Sequence, residues 1–208
     1  MSGKEMSTKE RIIMESLKLF SKRGFDAVSL AEIADAVGVT KPALYKHFNS
    51  KQDIIDEILK MSDEGFAKRM EMLEVNFDKH PERTAEYAQL TEEDVENHLV
   101  GLFLHTAFDK LPRLFRQILT IEQFHLPSLA KKYNQRYIDC QFAEYESLFK
   151  VLMEAGKIKK ADPHVLAVSF MSVVILMVEV CDREPRKKED AVATIRAHIR
   201  EFFRIYRA

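Results

Sequence analysis

Residues 29–51 read SLAEIADAVGVTKPALYKHFNSK, and their spacing folds into two short helices around a glycine turn. Leu30, Ile33, Ala34 and Val37 recur at i, i+3, i+4 and i+7, one face of a helix that opens on a Ser29-x-x-Glu32 capping box. Gly38 follows where a tight turn calls for a left-handed residue. Thr40 can then cap a second helix that tolerates Pro42 in its first turn. Leu44 and Phe48 turn inward with Val39, which leaves Pro42, Ala43, Tyr45 and Lys46 facing away from the core. Ser50-x-x-Asp53 opens a third helix, with Lys51 beside its N-terminus where a phosphate could be held.

Charge supports a polyanionic partner for this outward face. The 208 residues carry a formal net charge of -1, so the whole chain exerts no pull toward nucleic acid. Residues 1–51 nevertheless hold nine Lys or Arg against six Asp or Glu, a balance of +3, and the remainder balances at -4. Positive charge gathers where the two-helix motif lies.

These residues resemble the TetR family of bacterial transcriptional regulators. The likeness is carried by Ile33-Ala34-x-x-Val37-Gly38-Val39-Thr40 and by Leu44-Tyr45-x-His47-Phe48-x-x-Lys51, near the N-terminus of a helical chain of the right length. It implies DNA contacts from Ser29, Thr40, Tyr45, His47 and Lys51, with Lys41, Pro42, Ala43 and Lys46 in reach of base edges. Lysine donors and apolar contact with thymine methyls would specify sequence, and phosphate contacts would position the head. Ala31 departs from the pattern, because many relatives carry a basic residue there; phosphate clamping from this helix is therefore not expected.

Elsewhere the periodicity stays helical. Ser7-x-x-Glu10 opens a first helix that stops at Gly24, and a long helix runs from Ser50 toward Pro81. The polar segment 80–90 reads as a loop or a poorly defined helix. Thr91-x-x-Asp94, Pro112, Pro127 and Asp162-Pro163 mark later helix starts, and a last helix spans roughly 187–206. With no strand-like alternation or repeat, the chain is expected to be all-α: an N-terminal three-helix helix-turn-helix head joined to a C-terminal helical ligand-binding and dimerisation bundle, about nine helices in all. The expected domains are residues 1–50 for DNA binding and 51–208 for effector binding and dimerisation.

The last two helices carry more apolar surface than an outer helix needs. Phe170, Val174, Met177 and Val178 on one, and Ile195, Ile199 and Phe202 on the other, are the expected dimerisation residues. The family resemblance implies a four-helix dimer interface, and a two-fold dimer would address the half-sites of a pseudo-palindromic operator. Burial of both stripes within one chain is the alternative. The resemblance also places a small-molecule effector pocket between head and dimer helices, with release of the operator by population shift. Phe66, Met70, His98, Phe103, His105, Phe124, Tyr133 and Tyr137 are its candidate residues, a largely apolar set with a few polar anchors.

No Gly-rich phosphate loop, nucleophile elbow or zinc-protease motif occurs, so neither an enzyme nor a cofactor is expected. His105 and Asp109, at i and i+4, could share a metal with His98 or His125, yet such a pair is more often a hydrogen bond, and no metal is expected. Cys140 and Cys181 form no CxxC motif, which suits a reducing cytoplasm and leaves a redox role as a rival reading. The apolar run 165–180 is shorter than a membrane span requires and reads as a buried helix. A further rival is an interaction module that keeps the helix-turn-helix as scaffold.

Overall fold

The structure, a computed structural model, describes the backbone of residues 6–73 and 81–208, and the side chains of these apart from 70–73 and 81–84. The helices are α1 (Thr8–Arg23), α2 (Leu30–Val37), α3 (Lys41–Tyr45), α4 (Lys51–Leu73), α5 (Pro81–Gln89), α6 (Glu92–Phe108), α7 (Lys110–Glu122), α8 (Pro127–Asn134), α9 (Cys140–Glu154), α10 (Pro163–Arg183) and α11 (Lys188–Tyr206). A π-helical turn, Gln135–Asp139, joins α8 to α9 without a break, and a 3₁₀ turn, Pro185–Lys187, precedes α11. Among the described residues there is no strand, only an isolated bridge between Ile158 and Arg207.

The capping signals act where the sequence places them. Ser7 and Glu10, Ser29 and Glu32, and Thr91 and Asp94 form reciprocal capping boxes, and the Asp162 side chain accepts the Val165 amide at the start of α10. One segment differs from expectation. Residues 81–89, read as a loop or poorly defined helix because they are polar, form α5, with Pro81 at the first helical position that proline tolerates.

Packing divides the chain into two compact units, Met1–Met72 with Leu114–Tyr133, and Leu73–Arg113 with Asn134–Ala208. In the first, Ile12, Leu17 and Phe20 of α1 meet Ile33 of α2, Leu44 of α3, Ile54 and Ile58 of α4, and Leu114 and Ile118 of α7. The second is an aromatic core in which Phe149, Phe170 and Phe202 pack with ring centroids 4.7–5.3 Å apart. Helix α10 is long and apolar enough to cross a membrane, with mean hydropathy 2.2, but Leu166, Phe170, Val174 and Val178 along one side are core residues of this unit. Only 39% of its most apolar window is buried within the chain, so an apolar face remains outside.

Candidate nucleic-acid interface

The first unit holds a helix-turn-helix built as its sequence dictates. Gly38 takes φ 75° and ψ 37°, the left-handed conformation that ends α2, and its amide donates to Ala34 and Asp35 carbonyls. Thr40 Oγ1 accepts the Ala43 amide and starts α3. Leu44 and Phe48 are buried in the head core, which turns the remaining positions outward. Lys41, Pro42, Tyr45, Lys46 and His47 are exposed, Tyr45 at 50%, and Ala43 is half-buried between them. The side chains of Tyr45, Lys41, Lys46 and His47 make no hydrogen bond or ion pair with any described residue. A large aromatic ring and two ammonium groups held in solvent on a rigid short helix suit a groove of duplex DNA.

Besides Thr40, two of the expected contact residues are engaged within the head. Ser29 is exposed but its hydroxyl donates to Glu32 Oε2 at 2.9 Å and accepts the Glu32 amide. Glu32 is held down at about 2, chiefly by the Ser29 backbone amide, then by the Arg23 guanidinium and the Ser29 hydroxyl. Lys51 is engaged more extensively. Its ammonium donates to the carbonyls of Phe25 at 2.7 Å and Val28 at 2.8 Å, approaches that of Asp26 at 3.4 Å, and lies 4.3 Å from the centre of the Phe25 ring. All three N–H donors reach carbonyls of the loop before α2, so Lys51 fastens that loop.

Residues 12–58 match the family model described as bacterial regulatory proteins, tetR family. Over 61 residues the chain is 41% identical to the HTH-type transcriptional regulator AcrR of Shigella flexneri, covering 29% of this chain and 28% of that relative. Similarity to IcaR of Staphylococcus aureus, the negative transcriptional regulator of the biofilm operon icaADBC, extends further: 26% identity over 156 residues, 73% of this chain and 83% of IcaR. The backbone also superposes on SmeT in complex with triclosan, at TM-score 0.63 and 19% identity, covering 98% of this chain and 93% of that one. Residues 12–58 carry the DNA-binding domain of the TetR family of transcriptional regulators.

The candidate effector residues are divided between the two units. Phe103 is fully buried in the core of the second unit, and Phe124 is 83% exposed. Phe66 and Tyr133 are half-buried and belong to the first unit, and Tyr137 lies in the π-helical turn of the second. The Met70 side chain lies outside the described residues. His105 is half-buried and hydrogen-bonds Asp109 at 2.7 Å, and among the described residues no third ligand completes a metal site around any His, Cys, Asp or Glu group. Only His98 lines a described cleft, beside Glu144 and Tyr145 of α9. Cys181 is buried, and desolvation raises its thiol pKa, the reverse of what a redox-sensing thiolate needs.

Of the expected dimerisation residues, Phe170, Val174, Val178, Ile195, Ile199 and Phe202 are all buried in the chain's own core, and only Met177 keeps partial exposure. Most of their apolar surface is buried within the chain. The exposed face of α10 is a neighbouring stripe, Val165, Ser169, Ser172 and Leu176, at i, i+4, i+7 and i+11. Helix α11 exposes the small residues Ala193 and Ala197. Sequence periodicity marked both helices correctly but could not say which of two apolar faces the core would take.

Proposed function

We propose that this protein is a homodimeric, operator-binding repressor released by a small-molecule effector. The observation that supports it most is the outward row of α3, Lys41, Pro42, Tyr45, Lys46 and His47, exposed on a helix whose opposite side is locked into the head core. Residues 1–50 read DNA in this account, and 51–208 supply effector binding and dimerisation. Pairing through the exposed faces of α10 and α11 would cover Val165 and Leu176 and bring two heads to the half-sites of a pseudo-palindrome. Apolar surface left uncovered on so hydropathic a helix favours a second copy as the partner.

Among proteins of similar fold, SmeT is described as the repressor of the Stenotrophomonas maltophilia multidrug efflux pump SmeDEF and has been solved with triclosan. IcaR is a negative regulator. Repression with an effector of modest size is the reading these relatives favour, and a cytoplasmic location follows from it. Selection of binding sites from a randomised duplex library tests it: an inverted repeat with half-sites about one helical turn apart is expected. Recovery of no enriched sequence would leave the head as scaffold and overturn the proposal.

A further inference from the structure

Within the second unit, α5, α6 and α9 enclose an open cleft of about 190 Å³. It is lined by Tyr87, His98 and Tyr145, the last two with ring centroids 6.5 Å apart, and by aliphatic side chains that include Val95 and Leu148. The carboxylate that lines it, Glu144, is only 7% exposed and accepts no hydrogen bond from any described residue. Its nearest neighbour able to carry positive charge is His98 Nε2 at 3.6 Å, beyond hydrogen-bond range. Glu86 and Asp94 add carboxylates at the cleft, and among the described residues no Lys or Arg lines it.

A nearly buried carboxylate without a donor is costly. Glu144 is an acceptor, so what would satisfy it is N–H, and a carboxylate gains most from a charged donor. Aromatic residues in the lining attract the same species through their quadrupoles. The aliphatic lining asks for an apolar body. The volume falls below the roughly 300–1,000 Å³ of drug-sized pockets, which limits that body to about one ring.

We infer that this cleft binds a small protonated amine with an apolar or aromatic body, its ammonium donating to Glu144 beside Tyr87, His98 and Tyr145. The inference rests on the reading of this chain as an effector-responsive regulator and names the effector's chemical class. It narrows the largely apolar effector to a cationic one, because the buried anchor is an acceptor.

Isothermal titration of the full-length protein without DNA, using phenethylamine, 2-phenylethanol and phenylacetate at neutral pH, tests it. Phenethylamine should bind once per chain, about tenfold or more tighter than the isosteric alcohol, and phenylacetate should not bind. Glu144→Gln should cost the amine about tenfold and leave the alcohol unchanged. Ring resonances of Tyr145 and His98 in the wild-type protein should shift on adding the amine, which locates the site independently of any variant. Equal binding of amine and alcohol, no binding of the amine, or amine binding that leaves those resonances unmoved would each overturn the inference. Adding phenethylamine to a preformed operator complex separates the two readings. Binding in the cleft without DNA release would uphold the amine site and defeat the release mechanism, whereas release unaffected by Glu144→Gln would keep an effector mechanism and defeat this site.

Discussion

The Glu122 carboxylate, last residue of α7, accepts the backbone amide of Phe25 at 2.7 Å across 97 positions of sequence. Gly24 makes the approach possible. A Cβ there would stand 3.1 Å from Glu122 Oε1 and 3.2 Å from Ile121 Cγ2, and the backbone has φ 80°, which side chains rarely adopt. The α1–α2 loop is thus held from one side by Glu122 and from the other by Lys51. Glu122→Ala leaves a buried amide without an acceptor and should cost about 1–3 kcal/mol of head stability. Glu122→Gln, which keeps an acceptor oxygen, should recover most of it. Chemical denaturation of both variants checks this, and an unchanged midpoint for Glu122→Ala would show the contact to be idle.

Lys51→Met keeps the aliphatic stem beside Phe25 but removes the donors to the Phe25 and Val28 carbonyls. We predict a loss of about 1–3 kcal/mol in stability, with the salt dependence of DNA binding by the folded protein unchanged. A salt slope reduced by about one with stability intact would instead restore the phosphate contact read from the sequence.

Acid should loosen α2 in a defined window. The folded Glu32 titrates at about 2, below its ordinary 4.5, so its contribution is complete above about pH 4.5 and disappears as pH falls toward 2. Ser29→Ala removes the hydroxyl from the capping box, raises the Glu32 pKa and costs about 1 kcal/mol at neutral pH. Following the Glu32 carboxylate by NMR through an acid titration reads both effects; a Glu32 that titrates near 4.5 in the wild type would refute them.

Leu176 is 54% exposed on the outer stripe of α10, whereas Val178 is 6% exposed and faces the core. Leu176→Lys should therefore give a folded monomer with weakened operator binding. Val178→Ala should lower stability by about 1–3 kcal/mol and leave the dimer in place. Sedimentation of the two variants distinguishes them, and a dimeric Leu176→Lys would remove this stripe from the interface.

How far the sequence could be read follows from the range of each interaction. The caps Ser7, Ser29, Thr91 and Asp162 and the left-handed Gly38 are local, satisfied within four residues, and their motifs state them outright. The outward face of α3 was legible because Leu44 and Phe48 fix its rotation. The loop contacts of Lys51 were not legible because its partners lie 23 to 26 residues away, and an ammonium at a helix start looks alike whether it holds a phosphate or a loop. Glu122 offered no signal at all. Phe170 and Val174 show the limit of periodicity, which finds apolar faces on α10 without choosing the inner one. His98 was singled out for its residue type, but Glu144, the group that gives its cleft a chemical preference, reads in sequence as one more solvated acid.

The most direct measurement is fluorescence anisotropy of a labelled operator duplex titrated with wild-type protein and with Tyr45→Ala/Lys46→Ala across a series of salt concentrations. Both altered side chains are exposed, so the variant should fold as the wild type does. The account predicts tight, dimer-stoichiometric wild-type binding whose log affinity falls linearly with log salt. The variant should bind at least about tenfold more weakly, with a slope reduced by about one. Equal affinity and equal slope for the two proteins would contradict it, because the outward face of α3 would then not be the surface that reads DNA.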